Sequence, residues 1–170
     1  MTEKQIGTAR GMAIGALVSV VVIGLQYHFR VLVPAEASFL SDIRFVMRAD
    51  IVLVLWLLAG IARIATVRFF SPQDIDGSGL TTPSAAVSVD RAVLQNTLEQ
   101  LVLAQGAYFA MVAASHRTVV LIPALVLLFS VGRLLFWRGY ERGAAHRACG
   151  FAMTFYPTIF ACLVAVVAMV

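Results

Sequence analysis

The sequence predicts an all-α integral membrane protein with about five membrane-spanning helices, and three observations carry that expectation. Hydrophobic residues make up 61% of the 170-residue chain and charged ones only 13%, against about 45–50% and about 25% in soluble domains. With a mean hydropathy of +0.90, so few charges cannot cover a water-facing surface, and lipid has to solvate much of the chain. Five apolar stretches approach the roughly 20 residues that a helix needs to cross a hydrocarbon core about 30 Å thick. Arginines cluster at the ends of these stretches, where long cationic side chains reach the interface.

The first stretch covers residues 11–29, between Arg10 and Arg30. Lys4 before it and Ala35-Glu36-Ala37 after it resemble parts of a cleavable signal. The apolar run is long enough to span, and Tyr27-His28-Phe29-Arg30 separates it from the triplet, so a retained span is expected. The second stretch covers 51–70. Residues 71–89 form the only long polar, turn-rich connection. Ser88 or Asp90 is expected to cap the third helix, over 90–114, by offering an oxygen to its first free N–H groups. The loop Ser115-His116-Arg117-Thr118 is so short that helices three and four are antiparallel neighbours. The fourth span covers 119–137 and the fifth 149–170, with Pro157 expected to do no more than kink it.

Charge gives an orientation. Counting flanking residues, Lys4, Arg10, Arg63, Arg68, Arg91, Arg133, Arg138, Arg142 and Arg147 share one side, and Arg30, Arg44, Arg48 and Arg117 the other. The richer side, with the N-terminus, is expected to be cytoplasmic. The net charge of +4 does not imply nucleic acid, because the basic residues flank hydrophobic spans rather than line one face of a soluble fold. Arginine outnumbers lysine twelve to one, a composition that points to a GC-rich bacterial genome and so to an inner (plasma) membrane. Cys149 and Cys162 stand 13 residues apart, about 20 Å of helical rise and nearly opposite faces. They cannot pair within their helix and read as small packing residues. No metal site is expected.

Polar residues inside the spans locate the chemistry. An ionisable group there costs about 2.5–3.5 kcal/mol at a helix centre and is a functional hypothesis by default. Helix three carries Gln95, Asn96, Glu99 and Gln100. The spacings of three and four let Gln95, Asn96 and Glu99 share one face, which is expected to turn inward, either as a ligand site or as a structural hydrogen-bond network. Arg133, Tyr140 and Arg147 recur at intervals of seven. A helix continuing through Gly139 and Gly143 would place them on one stripe. Two guanidiniums and a phenol suit a small anionic ligand, since arginine binds carboxylates through paired hydrogen bonds. The competing reading is snorkelling at the boundary. It is the preferred one for Arg138 and Arg142, and both readings stand for Arg133 and Arg147.

Two motifs then point to a family. Asp-Arg-Ala-Val-Leu-Gln-Asn-Thr-Leu-Glu-Gln at 90–100 resembles the Arg-rich, Asn-x-x-Glu helix opening of the MAPEG family, the membrane-associated proteins of eicosanoid and glutathione metabolism. Gly-Arg-Leu-Leu-Phe-Trp-Arg-Gly-Tyr-Glu-Arg-Gly-Ala-Ala-His-Arg at 132–147 resembles its Arg, Gly-Tyr and later Arg pattern. The resemblance implies a left-handed four-helix bundle over 46–170, with residues 1–45 adding one N-terminal transmembrane helix and connector. It also implies a homotrimer with glutathione bound between subunits near the cytoplasmic face, and a lipophilic small-molecule substrate arriving among membrane lipids. By position, Asn96 and Glu99 would contact the ligand's amino end or brace the site, and Arg133 and Tyr140 would hold its peptide and carboxylates. Arg147 would stabilise the thiolate, and Arg63 or Arg68 would add positive charge from the neighbouring subunit. Three positions depart from the family pattern. Ala92 replaces a usual arginine, with Arg91 one step away; Phe136 replaces a common tyrosine; Gln100 replaces a frequent asparagine. The function implied is a membrane-bound glutathione transferase or peroxidase acting on lipophilic electrophiles or lipid hydroperoxides. The alternative is a non-catalytic protein of the same fold that binds lipid or a partner helix. A small transporter is disfavoured, because no span shows the Gly/Pro-interrupted half-helix pattern.

Overall fold

Local signals at each terminus set the helices of the computed structural model, which describes residues 1–34 and 36–170. Ala35, in the triplet considered as a cleavage site, lies outside the described residues. Thr2 and Gln5 form a capping box that opens α1 (Glu3–Phe29): the Gln5 N–H donates to the Thr2 hydroxyl at 3.3 Å and the Thr2 N–H to the Gln5 side chain at 2.8 Å. Arg30 ends this helix in the left-handed region, at φ 49. Ser38 caps α2 (Phe39–Phe69) and Ser84 caps α3 (Ala85–Ala114). A 3-10 turn (His116–Leu121) leads into α4 (Ile122–Gly139), with Pro123 in its first turn, where a missing N–H costs nothing. After a short turn, α5 (Ala144–Met169) runs unbroken through Pro157.

The helices reach well beyond the apolar stretches. Apolarity marks the part in hydrocarbon, whereas the backbone ladder continues into polar residues until a cap stops it. The expected cap of α3 is therefore corrected: Ser84 accepts from the Val87 N–H at 3.3 Å, and Ser88 and Asp90 lie inside the helix. α2 is continuous from Phe39, so the division at residues 45 and 46 falls within a helix.

Among the described residues, four helices are long and apolar enough to cross a membrane: Glu3–Phe29, Phe39–Phe69, His116–Gly139 and Ala144–Met169. α3 is as long but is diluted by Gln95, Asn96, Glu99, Gln100 and Gln105, and is not one of the four. It packs against α2 and α5. The core joins Val46 and Leu53 of α2, Leu101, Tyr108 and Met111 of α3, Ile122, Leu125 and Phe129 of α4, and Ala161 of α5.

Small residues govern the closest helix crossings. On α1, Gly7, Gly11 and Gly15 stand four apart and face Ala145, Ala148 and Ala152 of α5. A Cβ on Gly15 would come 2.7 Å from the Cys149 carbonyl oxygen and 2.8 Å from the Ala152 Cβ, so only glycine permits this approach. Between apolar helices in lipid, such close packing replaces the hydrophobic drive available in water. At the far end of α1, buried Gln26 donates through Nε2 to the carbonyls of Val31 and Val120, both at 2.8 Å. Helix α1 is thus fastened at both ends to its own chain.

These contacts define two ends. The start of α1, the α2–α3 loop and the α4–α5 turn share one; the end of α1, the start of α2 and the 3-10 turn share the other. At the first end, buried Asp74 ties the α2–α3 loop to the α3 cap, accepting from the Ser71 hydroxyl at 2.6 Å and the Ser84 N–H at 2.8 Å. These bonds, the Ser71 one foremost, hold its carboxyl below the ordinary value of 3.8.

Candidate functional site at the Arg133 end of the bundle

Helix α4 supplies the centre of the site. Arg133 is only 1% exposed. Its Nη1 donates to Asn96 Oδ1 on α3 at 2.8 Å, and its Nη2 to the Thr154 hydroxyl on α5 at 2.6 Å. The guanidinium also lies 4.6 Å from the Phe136 ring centroid and 5.8 Å from that of Phe129, distances at which a ring face attracts a cation. Its Nε is buried without a partner among the described residues. One turn on, Tyr140 meets Phe136 edge-on at 5.4 Å, and the Arg147 guanidinium stacks over the Tyr140 ring at 4.1 Å.

The single continuous stripe expected for Arg133, Tyr140 and Arg147 is corrected. α4 stops at Gly139, and Gly143, at φ +100, turns the chain into α5. Arg147 therefore approaches Tyr140 across a helical hairpin. Gly132 and Gly150 allow the two helices to meet: a Cβ on Gly132 would lie 2.8 Å from the Gly150 carbonyl oxygen.

The expectation for α3 is corrected as well. Thr97 and Gln100 are the polar side chains that turn inward, and Asn96 is half-buried as it reaches Arg133. Gln95 and Glu99 face outward, where the Gln95 Nε2 donates to Glu99 Oε1 at 3.0 Å. Arg91 is exposed too. Arg91, Gln95 and Glu99 stand four apart and so form one polar edge on the outside of a single chain. Ala92, at the departing position, is half-buried, whereas Phe136 is absorbed into the aromatic shell of Arg133.

Arg63 and Arg68, the two arginines in the second half of α2, have partners within the chain. Arg63 Nε lies 3.2 Å from Asp90 Oδ2, with the arginine side chain 55% exposed and the carboxylate 8%. Arg68 Nη2 donates to the Ser78 hydroxyl at 2.6 Å. The structure thus brings Asn96, Arg133, Tyr140 and Arg147 into one run of contacts, flanked by the Glu99 edge, while Arg63 and Arg68 are tied to Asp90 and the α2–α3 loop.

The sequence profile of the MAPEG family matches residues 45–167. The chain belongs to the MAPEG family. No curated protein and no solved structure matches it. With four helices apolar enough to span, this MAPEG protein is an integral membrane protein. Its family region begins inside α2, so α1 stands outside the matched part.

Some participants were missed from the sequence. Thr154 carries no motif, and its role comes from the α4–α5 crossing. Gly7, Gly11 and Gly15 did carry a signal, a four-residue small-residue repeat in an apolar helix. Asp50, next to the second apolar stretch, carries no motif, yet it is buried and accepts from Gln105 Nε2 at 2.7 Å.

Proposed function

We propose that this MAPEG protein is a five-span membrane enzyme that binds glutathione, or a related low-molecular-weight thiol, and directs its thiolate at lipophilic electrophiles or lipid hydroperoxides. The observation that carries this reading is the polar edge of Arg91, Gln95 and Glu99 beside the Asn96–Arg133 pair. Glu99 lies nine residues into α3 from Asp90, about 14 Å of rise, a depth at which an exposed carboxylate is costly in lipid. A neighbouring copy covering that edge would remove the cost and enclose a ligand between subunits. This matches the homotrimer and the left-handed four-helix core that the family implies, with α1 added outside.

In that arrangement Arg133 and Thr154 hold Asn96 in place. Glu99 and Asn96 meet the ligand's amino end, Tyr140 and Arg91 its peptide and carboxylates, and Arg63 and Arg68 enrich positive charge at this cytoplasmic end. Arg147 faces the sulfur. A free thiol near pKa 8.5 is mostly protonated at neutral pH, and an adjacent permanent cation lowers that value by one to several units. The thiol proton leaves to solvent. In conjugation the thiolate forms the carbon–sulfur bond as the leaving group departs with its electron pair.

The test is turnover of glutathione with an aryl halide and with a lipid hydroperoxide by protein in lipid nanodiscs. Arg147→Ala is expected to lower kcat/KM on the order of tenfold or more at pH 7 and to move the rising limb of the pH profile upward. Full activity in Arg147→Ala with an unchanged profile contradicts the role. The runner-up, a non-catalytic protein binding lipid or a partner helix, is favoured by one observation: both terminal nitrogens of Arg133 are already bonded within the chain.

A further inference from the structure

At the end opposite this site, α1, the 3-10 turn and α5 enclose an apolar groove of about 570 Å³. Its volume is in the range of ligand pockets, about 300–1,000 Å³. Val20, Ile23, Leu121, Phe160 and Val164 give it an apolar wall. Gly24 also lines it, and a Cβ at Gly24 would meet nothing within 4 Å. Along α1 the lining runs from Ala16 to Tyr27, about 16 Å of rise from mid-helix towards the end.

The groove does not end on apolar residues. Tyr27, Arg117 and Val120 also line a second cavity of about 220 Å³, whose other walls include Arg30 and His116. The apolar channel and the cationic cavity therefore share Tyr27, Arg117 and Val120 as a common wall. His116 is committed to Asp42, with Nδ1 2.8 Å from Oδ1. Arg30 and Arg117 form no ion pair among the described residues, and both are exposed. Arg117 sits in the first turn of the candidate span His116–Gly139.

We infer that this groove binds an anionic glycerophospholipid, one acyl chain lying between α1 and α5 and the phosphate meeting Arg117 and Arg30. Charge complementarity selects the occupant: two unpaired cations at the mouth favour an anionic headgroup over a zwitterionic one. The site depends on α1, outside the family-matched region, and does not rest on the enzyme reading.

The experiment titrates detergent-solubilised full-length protein with phosphatidylglycerol and with phosphatidylcholine of identical chains, reading bound lipid by native mass spectrometry. One phosphatidylglycerol per chain is expected to bind more tightly than phosphatidylcholine. Arg117→Gln should weaken the anionic lipid about fivefold and phosphatidylcholine, whose choline offsets the charge of the same phosphate, by less. Gly24→Phe should displace both lipids by filling the channel, and Gly24→Leu, a smaller filler, should do so in part. Equal affinity for the two lipids, or unaltered binding in both Gly24 variants, overturns the proposal. So does a change in subunit number in Gly24→Phe, which would show that another copy occupies the groove.

Discussion

Arg133 decides much at the scale of single residues. A guanidinium sealed inside the bundle needs its donors satisfied, and Asn96 and Thr154 supply two acceptors from two different helices. The residue therefore orients Asn96 and locks α3, α4 and α5 together at one point. Thr154→Val keeps the shape but removes the acceptor, and is expected to cost about 1–2 kcal/mol, seen as a lower midpoint of thermal unfolding in detergent. An unchanged midpoint would show that the Arg133–Thr154 bond adds nothing. Asp74 gives a pH dependence. Its carboxyl is held below the ordinary value by Ser71 and Ser84, so its contribution is complete above 3.8 and is lost as pH falls through the lowered value. Cleavage of the 71–84 loop by an acid protease should accelerate only below that point, and Asp74→Ala should be cleaved readily at pH 4 as well.

Apolar stretches located all five helices in the sequence, although among the described residues only four of those helices are apolar enough to cross a membrane. Their ends were less legible. The stripe of Arg133, Tyr140 and Arg147 assumed a helix through Gly143, but a glycine at positive φ turned that stripe into a hairpin contact. Similarly, Gln95 and Glu99 share a face as the spacing requires, yet spacing cannot say which neighbour that face meets. The packing of α1 was legible in principle from Gly7, Gly11 and Gly15. Gly15→Leu is expected to push α1 off α5, since even a Cβ there meets backbone at 2.7 Å. Spin labels at exposed Leu17 and Leu163, in a background lacking Cys149 and Cys162, should report a longer and broader distance distribution. An unaltered distribution would mean that Gln26 alone positions the helix.

For the molecule as a whole, two ends have different chemistry. One gathers Asn96, Arg133, Tyr140, Arg147 and the Glu99 edge within the family-matched region; the other presents Arg30 and Arg117 beside an apolar groove made with α1. The first end lies within the region that matches the MAPEG family, whereas the second is completed by α1, outside it. On the proposed function a neighbouring copy covers the polar edge on α3, so assembly and ligand binding are expected to go together. The most direct test of thiol activation is a glutathione titration of the purified protein, following thiolate absorbance in the ultraviolet at pH 7. A saturable thiolate signal that Arg147→Ala abolishes while subunit number is unchanged is the result predicted. No signal at millimolar glutathione, with the assembly intact, would contradict thiol activation.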